Sequence, residues 1–324
     1  MNAKKKDAAV ILQKLAALRA STWLGPARQW WPDFLFHFTD ISNAVKILES
    51  GKLVCRSRVN IEKDIASQQV IEQTDEKWKD YVRLYFRPRT PTQYHNEGFR
   101  PISSLSSLKA HCPMPIFLVF DADTLLTADS TYFSDGNVAV SKPSVGNDAS
   151  FFQTIPFEKV FHDGRLNDNE KRNIVYHRHA EVLIPNELGL DSLKWIVCRS
   201  EAESRTLREL LNLKTWLKIH KRVKKSPQLF FQYWTFVVAT ELEQNKVTVR
   251  FNASSRTPAS FAVRLDIKNL QTGENYFWKN DAFTANSDLR VRIPQLTTPC
   301  SYQVRLTLDD AIAYADTFVS EPMF

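Results

Sequence analysis

Apolar and polar positions follow two different grammars along the chain. In the first two thirds, short apolar runs mix with helical spacings. Residues 8–21 place Val10, Ile11, Leu12, Leu15 and Leu18 at near-helical intervals, predicting a helix with one apolar face that Gly25-Pro26 ends. Residues 34–38 read as a short buried strand. A helix follows at once: Asp40 or Ser42 suits the N-cap, Ala44, Ile47 and Leu48 share a face, and Gly51 stands where a left-handed terminal residue belongs. Residues 60–79 are polar and irregular, with a helical section. Residues 81–86 alternate as a strand and stop at Arg87-Pro88-Arg89-Thr90-Pro91, where two prolines interrupt regular hydrogen bonding. Further strands are predicted at 116–121, 180–185 and 193–199, and a helix over 201–213.

Beyond Ser226-Pro227 the pattern becomes strict alternation. Val247, Val249 and Phe251 alternate, as do Phe261, Val263, Leu265 and Ile267, then Leu289, Val291 and Ile293, then Tyr302, Val304, Leu306 and Leu308. About seven short strands with turn signals between them is the pattern of an immunoglobulin-like sandwich. The expected fold class is therefore an α+β domain of short strands and helices followed by an all-β sandwich. The expected division is a helical segment at 1–30, a mixed domain at 31–225 and the sandwich at 226–324.

Composition narrows the classes. The 324 residues are 43% hydrophobic and 24% charged, as in a folded water-soluble protein, and no apolar run is long enough to span a bilayer. Gly is scarce at 8 residues, and the chain has no GxGxxG, no GxxxxGK[ST] and no HExxH. The four cysteines form no CxxC pair, and His177 and His179 have no third ligand nearby, so no metal site is expected. Without a secretory leader pattern, a cytoplasmic location is expected.

The net charge of +7 is uneven. From Ser226 onward there are 9 Lys/Arg and 10 Asp/Glu, leaving 34 basic and 26 acidic residues before it. A polyanionic partner is expected for the first part, with the basic residues 214–225 as part of its track. The near-neutral sandwich is expected to bind a partner or to stabilise the rest.

Three segments are polar where a core would be apolar: His37-Phe38-Thr39 at a strand end, Tyr85 to Tyr94 through the proline-rich loop, and Arg178-His179-Ala180-Glu181 leading into a strand. Their order resembles that of ADP-ribosyltransferases. More narrowly, the chain resembles the DarT family, toxins that ADP-ribosylate bases in DNA. The resemblance covers about residues 34–200. It is carried by Phe36-His-Phe-Thr-Asp-Ile-Ser-Asn43 with Gly51-Lys-Leu53, by Asp80-Tyr-Val-Arg-Leu-Tyr-Phe-Arg-Pro-Arg-Thr-Pro91, by Phe133-Ser-Asp-Gly136, and by Arg178-His-Ala-Glu-Val-Leu-Ile184.

The resemblance implies an ADP-ribosyltransferase-like fold and NAD as co-substrate, without a metal. Glu181 would stabilise the positive charge that grows on the ribose as nicotinamide leaves, and could deprotonate the acceptor base. His37 and Thr39 would orient a ribose, Tyr85, Phe86 and Tyr94 would wall the nicotinamide pocket, and Arg89 would bind the pyrophosphate. An acceptor-recognition loop is implied at about 161–177, with Arg165, Asn167, Asn169, Lys171, Arg172, Arg178 and His179. The family's catalytic arginine has no counterpart in residues 60–75, so Arg56 or Arg58 is expected to replace it. The implied role is a toxin of a toxin–antitoxin or phage-defence system. It would act on DNA, single-stranded because a duplex hides its bases, and be countered by an antitoxin such as a macrodomain ADP-ribose hydrolase. Two other readings stay open: transfer to RNA, and a non-catalytic nucleic-acid-binding module.

Overall fold

The computed structural model describes residues 3–59, 75–101, 110–140, 142–253, 259–296 and 299–320. The chain divides into two compact units, Met1–His95 with Phe117–Ile196, and Asn96–Ile116 with Val197–Phe324. In chain order the elements begin with α1 (Ala8–Arg19), β1 (Phe34–Asp40), α2 (Ile41–Ser50), β2 (Lys52–Val54), α3 (Glu76–Lys79), β3 (Tyr81–Tyr85) and α4 (Pro91–Asn96). They continue with β4 (Pro115–Asp121), α5 (Ala122–Leu126), β5 (Tyr132–Ser134), β6 (Val145–Gly146), α6 (Ala149–Thr154), α7 (Phe157–Val160) and α8 (Lys171–His177). Then come β7 (Glu181–Pro185), β8 (Glu187–Gly189) and β9 (Leu193–Cys198).

The local signals explain these elements. The Asp40 carboxylate accepts the Ser42 N–H at 3.1 Å and caps α2, which ends at Gly51 with φ 76°, a left-handed conformation open to glycine. On α1, Ile11, Leu15 and Leu18 are buried. The N-terminal segment is not separate but belongs to the first unit. Lys5 donates to the Thr131 carbonyl at 2.8 Å, and Arg19 pairs with Asp33 at 2.7 Å and Asp123 at 2.6 Å.

In the first unit the strand order is β9-β4-β1-β3-β7-β5-β6. Residues 115–120 of β4 are all buried, as a central strand covered on both faces requires. β3 runs antiparallel to β1 and β7, with Tyr85 opposite Phe36 on one side and Glu181 on the other. β2 and β8 form a separate two-stranded sheet. Among the described residues no helix is long and apolar enough to cross a membrane.

The second unit adds α9 (Glu201–Leu210), α10 (Leu213–Ile219), β10 (Val223–Lys225), β11 (Val237–Glu243), β12 (Lys246–Phe251), β13 (Ser260–Asn269), β14 (Asn275–Thr284), β15 (Leu289–Arg292), β16 (Tyr302–Leu308) and β17 (Ala311–Phe318). The last seven strands form two sheets, β11-β12-β15 and β14-β13-β16-β17, and neighbouring strands in both run antiparallel. Val247, Val249, Leu289 and Val291 of one sheet share a core with Phe261, Val263, Leu265, Ile267, Val304 and Leu306 of the other, as the alternation predicts for a sandwich.

Contacts draw residues 96–116 and 197–225 into the second unit. Phe99 and Ala202 belong to the sandwich core. The fully buried Arg199 pairs with Glu203 and, at 3.4 Å, with Glu97. Glu97 in turn accepts the N–H groups of Phe231 at 3.0 Å and Gln232 at 2.8 Å. Periodicity marks where strands begin. It does not show which distant segments their core recruits.

Candidate active site

The site forms where β3 and β7 lie side by side. Opposed residues of an antiparallel pair point to the same face, and alternate residues share it. Tyr85 opposite Glu181 and Arg83 opposite Leu183 therefore put Arg83, Tyr85 and Glu181 on one face. Glu181 is only 2% exposed, and its Oε2 accepts no hydrogen bond. The Arg83 Nη1 is 3.7 Å from that oxygen. Burial pushes the Glu181 carboxyl above the ordinary carboxylate range, while Arg83 and the Tyr85 hydroxyl pull the other way. Burial and the Glu181 charge raise Tyr85, so its hydroxyl stays protonated between Glu181 and Thr92.

Backbone bonds fix the carboxylate. β5 lies on the other side of β7, with Phe133 opposite Val182. The Ser134 hydroxyl accepts the Glu181 N–H at 2.9 Å and donates to the Gly136 carbonyl at 2.7 Å. Tyr176 lies against Gly136, where an added Cβ would come within 2.2 Å of the ring, and its hydroxyl donates to Asp135 at 2.8 Å. The Phe133–Gly136 motif thus packs the β5 turn against α8 directly beside Glu181.

His37 on β1 donates from Nδ1 to the Arg83 carbonyl at 3.1 Å. A carbonyl only accepts, so Nδ1 carries the proton. Burial lowers the His37 pKa, which favours the neutral ring and leaves Nε2 as an acceptor. Thr39 is buried on the same strand, and Tyr94 is partly exposed on α4.

Phe86 corrects its expected place. It follows the last residue of β3, turns away from Tyr85 and is buried against Phe152 and Phe157 at centroid distances of 6.3 and 5.5 Å. It is a core residue, because the alternation that aims Tyr85 at the site aims its neighbour inward.

The proline-rich arginines clamp the start of the expected acceptor loop. Arg87, fully buried, donates to the carbonyls of Val160 and His162 and to Asp163 at 2.7 Å. Arg89, at φ 57°, bonds the other Asp163 oxygen at 3.0 Å. Arg178 donates to His162 Nδ1 at 2.6 Å and to the Gly164 carbonyl at 3.0 Å, and Arg28 donates to the Phe161 carbonyl at 2.8 Å. Four arginines from three separate segments therefore fix residues 161–164. Arg165, Asn167 and Asn169 beyond them are exposed. Lys171 and Arg172, expected in the loop, instead open α8, on its exposed side. His179 donates to the Val175 carbonyl at 2.9 Å, and burial pulls its pKa down to about 4, so it is neutral.

Arg56 and Arg58 lie in a single helical turn after β2, where Ser57 donates to Asp80 at 2.5 Å. Among the described residues, the cation beside Glu181 is Arg83 instead. The stretch 60–74, from which a catalytic arginine is missing, lies outside the described residues. The sequence alone gives Arg83 no role, although its spacing of two from Tyr85 places both on one face. Nothing local links Thr92 to Tyr85 either, and the sequence leaves it unmarked.

A buried carboxylate oxygen without a donor suits a ribose hydroxyl; His37, one residue beyond the Phe36 that pairs with Tyr85, carries a neutral Nε2 acceptor on β1. The site therefore fits the ribose of a nucleotide such as NAD. Among the described residues no group of three or more His, Cys, Asp or Glu could hold a metal ion.

Comparison with known proteins identifies the family. Residues 36–231 match the family described as DarT, ssDNA thymidine ADP-ribosyltransferase. Among solved structures, DarT of Thermus sp. 2.9 in complex with ADP-ribosylated ssDNA is similar at 19% identity and a TM-score of 0.50, covering 62% of this chain and 97% of that one. The same Thermus protein in complex with NAD+ gives 18% identity and a TM-score of 0.48, covering 62% and 98%. Thermosipho africanus DarTG in complex with ADP-ribose gives 20% and 0.43, covering 65% of this chain and 54% of that one. A comparison with curated proteins gives no match. The family match spans more than half of the sequence and includes Glu181 and Tyr85, which oppose each other on neighbouring strands: the chain belongs to the DarT family of ssDNA thymidine ADP-ribosyltransferases.

Proposed function

We propose that this protein is a toxin that transfers ADP-ribose from NAD to thymidine in single-stranded DNA. The observation that carries this reading is the buried, donor-free Oε2 of Glu181 beside Tyr85 and Arg83 in a chain of this family. NAD supplies the ADP-ribosyl group, its bond to nicotinamide breaking with the electron pair on the leaving nicotinamide.

Glu181 accepts a ribose hydroxyl and places negative charge where positive charge grows. Tyr85 and His37 fix the sugar from the neighbouring strands. In thymidine the one base nitrogen bearing a proton is N3. As N3 bonds the ribose carbon, its proton passes to Glu181, whose raised carboxyl suits a proton acceptor near neutral pH. The clamp on residues 161–164 presents Arg165, Asn167 and Asn169 to the base and its flanking phosphates. The acting compartment is the cytoplasm, where chromosomal DNA and NAD meet. The antitoxin in this reading is a macrodomain hydrolase that removes the ADP-ribose.

Labelled NAD incubated with single-stranded DNA, duplex DNA, RNA and protein tests the proposal. Label on thymidine-containing single strands alone is expected. Label on RNA alone would replace the DNA reading, and no label with intact binding would leave a nucleic-acid-binding module. Expression should arrest growth, and Glu181→Gln should relieve it.

A further inference from the structure

Glu181 faces a physical conflict. It has to be ionised to stabilise a cationic sugar, yet it is buried and one of its oxygens accepts no hydrogen bond. A desolvated carboxylate in that state takes up a proton unless a positive charge opposes it. Among the described residues, the other groups acting on the carboxylate do not provide one. Tyr85 brings a protonated hydroxyl, and β5 brings Ser134 to the backbone only. Among the described residues, the cation beside Glu181 is Arg83.

We propose that Arg83 is a positioning residue that holds the Glu181 carboxylate in its charged form and aims its free oxygen at the ribose. The proposal rests on the transferase reading above. Three features support it. The 3.7 Å separation is an ion pair but is longer than a hydrogen bond, so the charge is offset while the Oε2 lone pairs stay available for a sugar hydroxyl. The backbone beneath Arg83 is fixed, because its carbonyl accepts from His37 and its strand pairs on both sides. Finally, Leu183 is the residue opposite Arg83, so the guanidinium reaches along the face to Glu181 rather than across to a partner of its own.

The test uses the full-length protein with Arg83→Gln and Arg83→Lys. In the NAD-free protein, ¹³C-carboxyl titration, with the Glu181 signal assigned by Glu181→Gln, should move to higher pH in Arg83→Gln and to an intermediate pH in Arg83→Lys. The acid limb of the transfer rate should follow the same order. Below that limb Arg83→Gln should lose about tenfold in kcat for each unit moved, recovering toward alkaline pH, with little change in KM for NAD. An unmoved Glu181 titration would overturn the proposal. So would a raised KM with an unmoved limb, since that marks a direct phosphate contact. If Arg83→Gln does not fold, Arg83→Lys alone decides, because its titration must still move upward. Wild type that labels no DNA would refute the transferase reading, whereas the titration judges Arg83 separately.

Discussion

The Ser134 hydroxyl accepts the Glu181 N–H at 2.9 Å and donates its own O–H to the Gly136 carbonyl at 2.7 Å. One side chain thus ties β7 to the neighbouring turn at the residue proposed to act on the sugar. Replacing Ser134 by Ala leaves a buried amide and a buried carbonyl without partners. A loss of about 1–3 kcal/mol in unfolding free energy is expected. Chemical denaturation measures the stability, and transfer kinetics should show kcat falling more than KM. Unchanged kcat would mean that the hydroxyl supports the fold alone.

Glu181→Gln should separate activity from stability. Burial raises the Glu181 carboxyl, so the folded protein holds a proton that the unfolded chain releases. The stability linked to that proton is fully present below the ordinary glutamate value of 4.5 and is lost as pH rises through the raised one. A neutral glutamine escapes the loss. The variant should therefore gain on wild type in Tm as pH rises across that window, while its transfer rate falls about 10²–10⁴-fold. Melting curves at a series of pH values check the sign, and a gap that narrows with rising pH would contradict it.

How far the sequence could be read depends on the range of each interaction. The α2 caps, the strand at β3 and the sandwich alternation at Phe261, Val263, Leu265 and Ile267 follow from local spacing, and the structure has them where the pattern puts them. Glu181 stands out as a candidate because a carboxylate heads an apolar strand. The packing of Phe86 and Arg87 has no local signal, since their neighbours Phe152, Phe157 and Asp163 lie more than sixty residues away. Glu97 was silent for the same reason: its partners Arg199, Phe231 and Gln232 are recruited only by the folded second unit.

Arg87 and Arg89 look alike in sequence but should differ sharply on substitution. Arg87 is 0% exposed and its charge is offset by Asp163, so Arg87→Met leaves that acid and three carbonyls, of Pro88, Val160 and His162, short of a donor. Breaking a buried pair in this way costs about 3–5 kcal/mol. Arg89 is partly exposed, and Arg89→Met should cost about 1 kcal/mol or less. Parallel urea titrations of the two variants provide the comparison. Equal losses would mean that Arg89, not burial of Arg87, anchors residues 161–164.

The basic run of the second unit makes a separate, salt-dependent prediction. α10 exposes Leu213 at 70% and Leu217 at 61%, and Lys214, Lys218, Lys221, Arg222 and Lys225 around and after them are also exposed. No acidic residue lies between residues 211 and 226, so local charge does not cancel the field. A single strand whose phosphates meet these side chains releases counterions, and its affinity falls with salt by about 0.7 in log–log slope per neutralised phosphate. Reversing Lys218, Lys221 and Lys225 to Glu should weaken single-strand binding and flatten that slope by roughly that amount for each phosphate no longer neutralised. The melting temperature should hardly move, because exposed charges contribute little to folding. Fluorescence anisotropy across a salt series measures the slope. If wild type and variant give parallel lines, the run is a solvated surface and the strand takes another path.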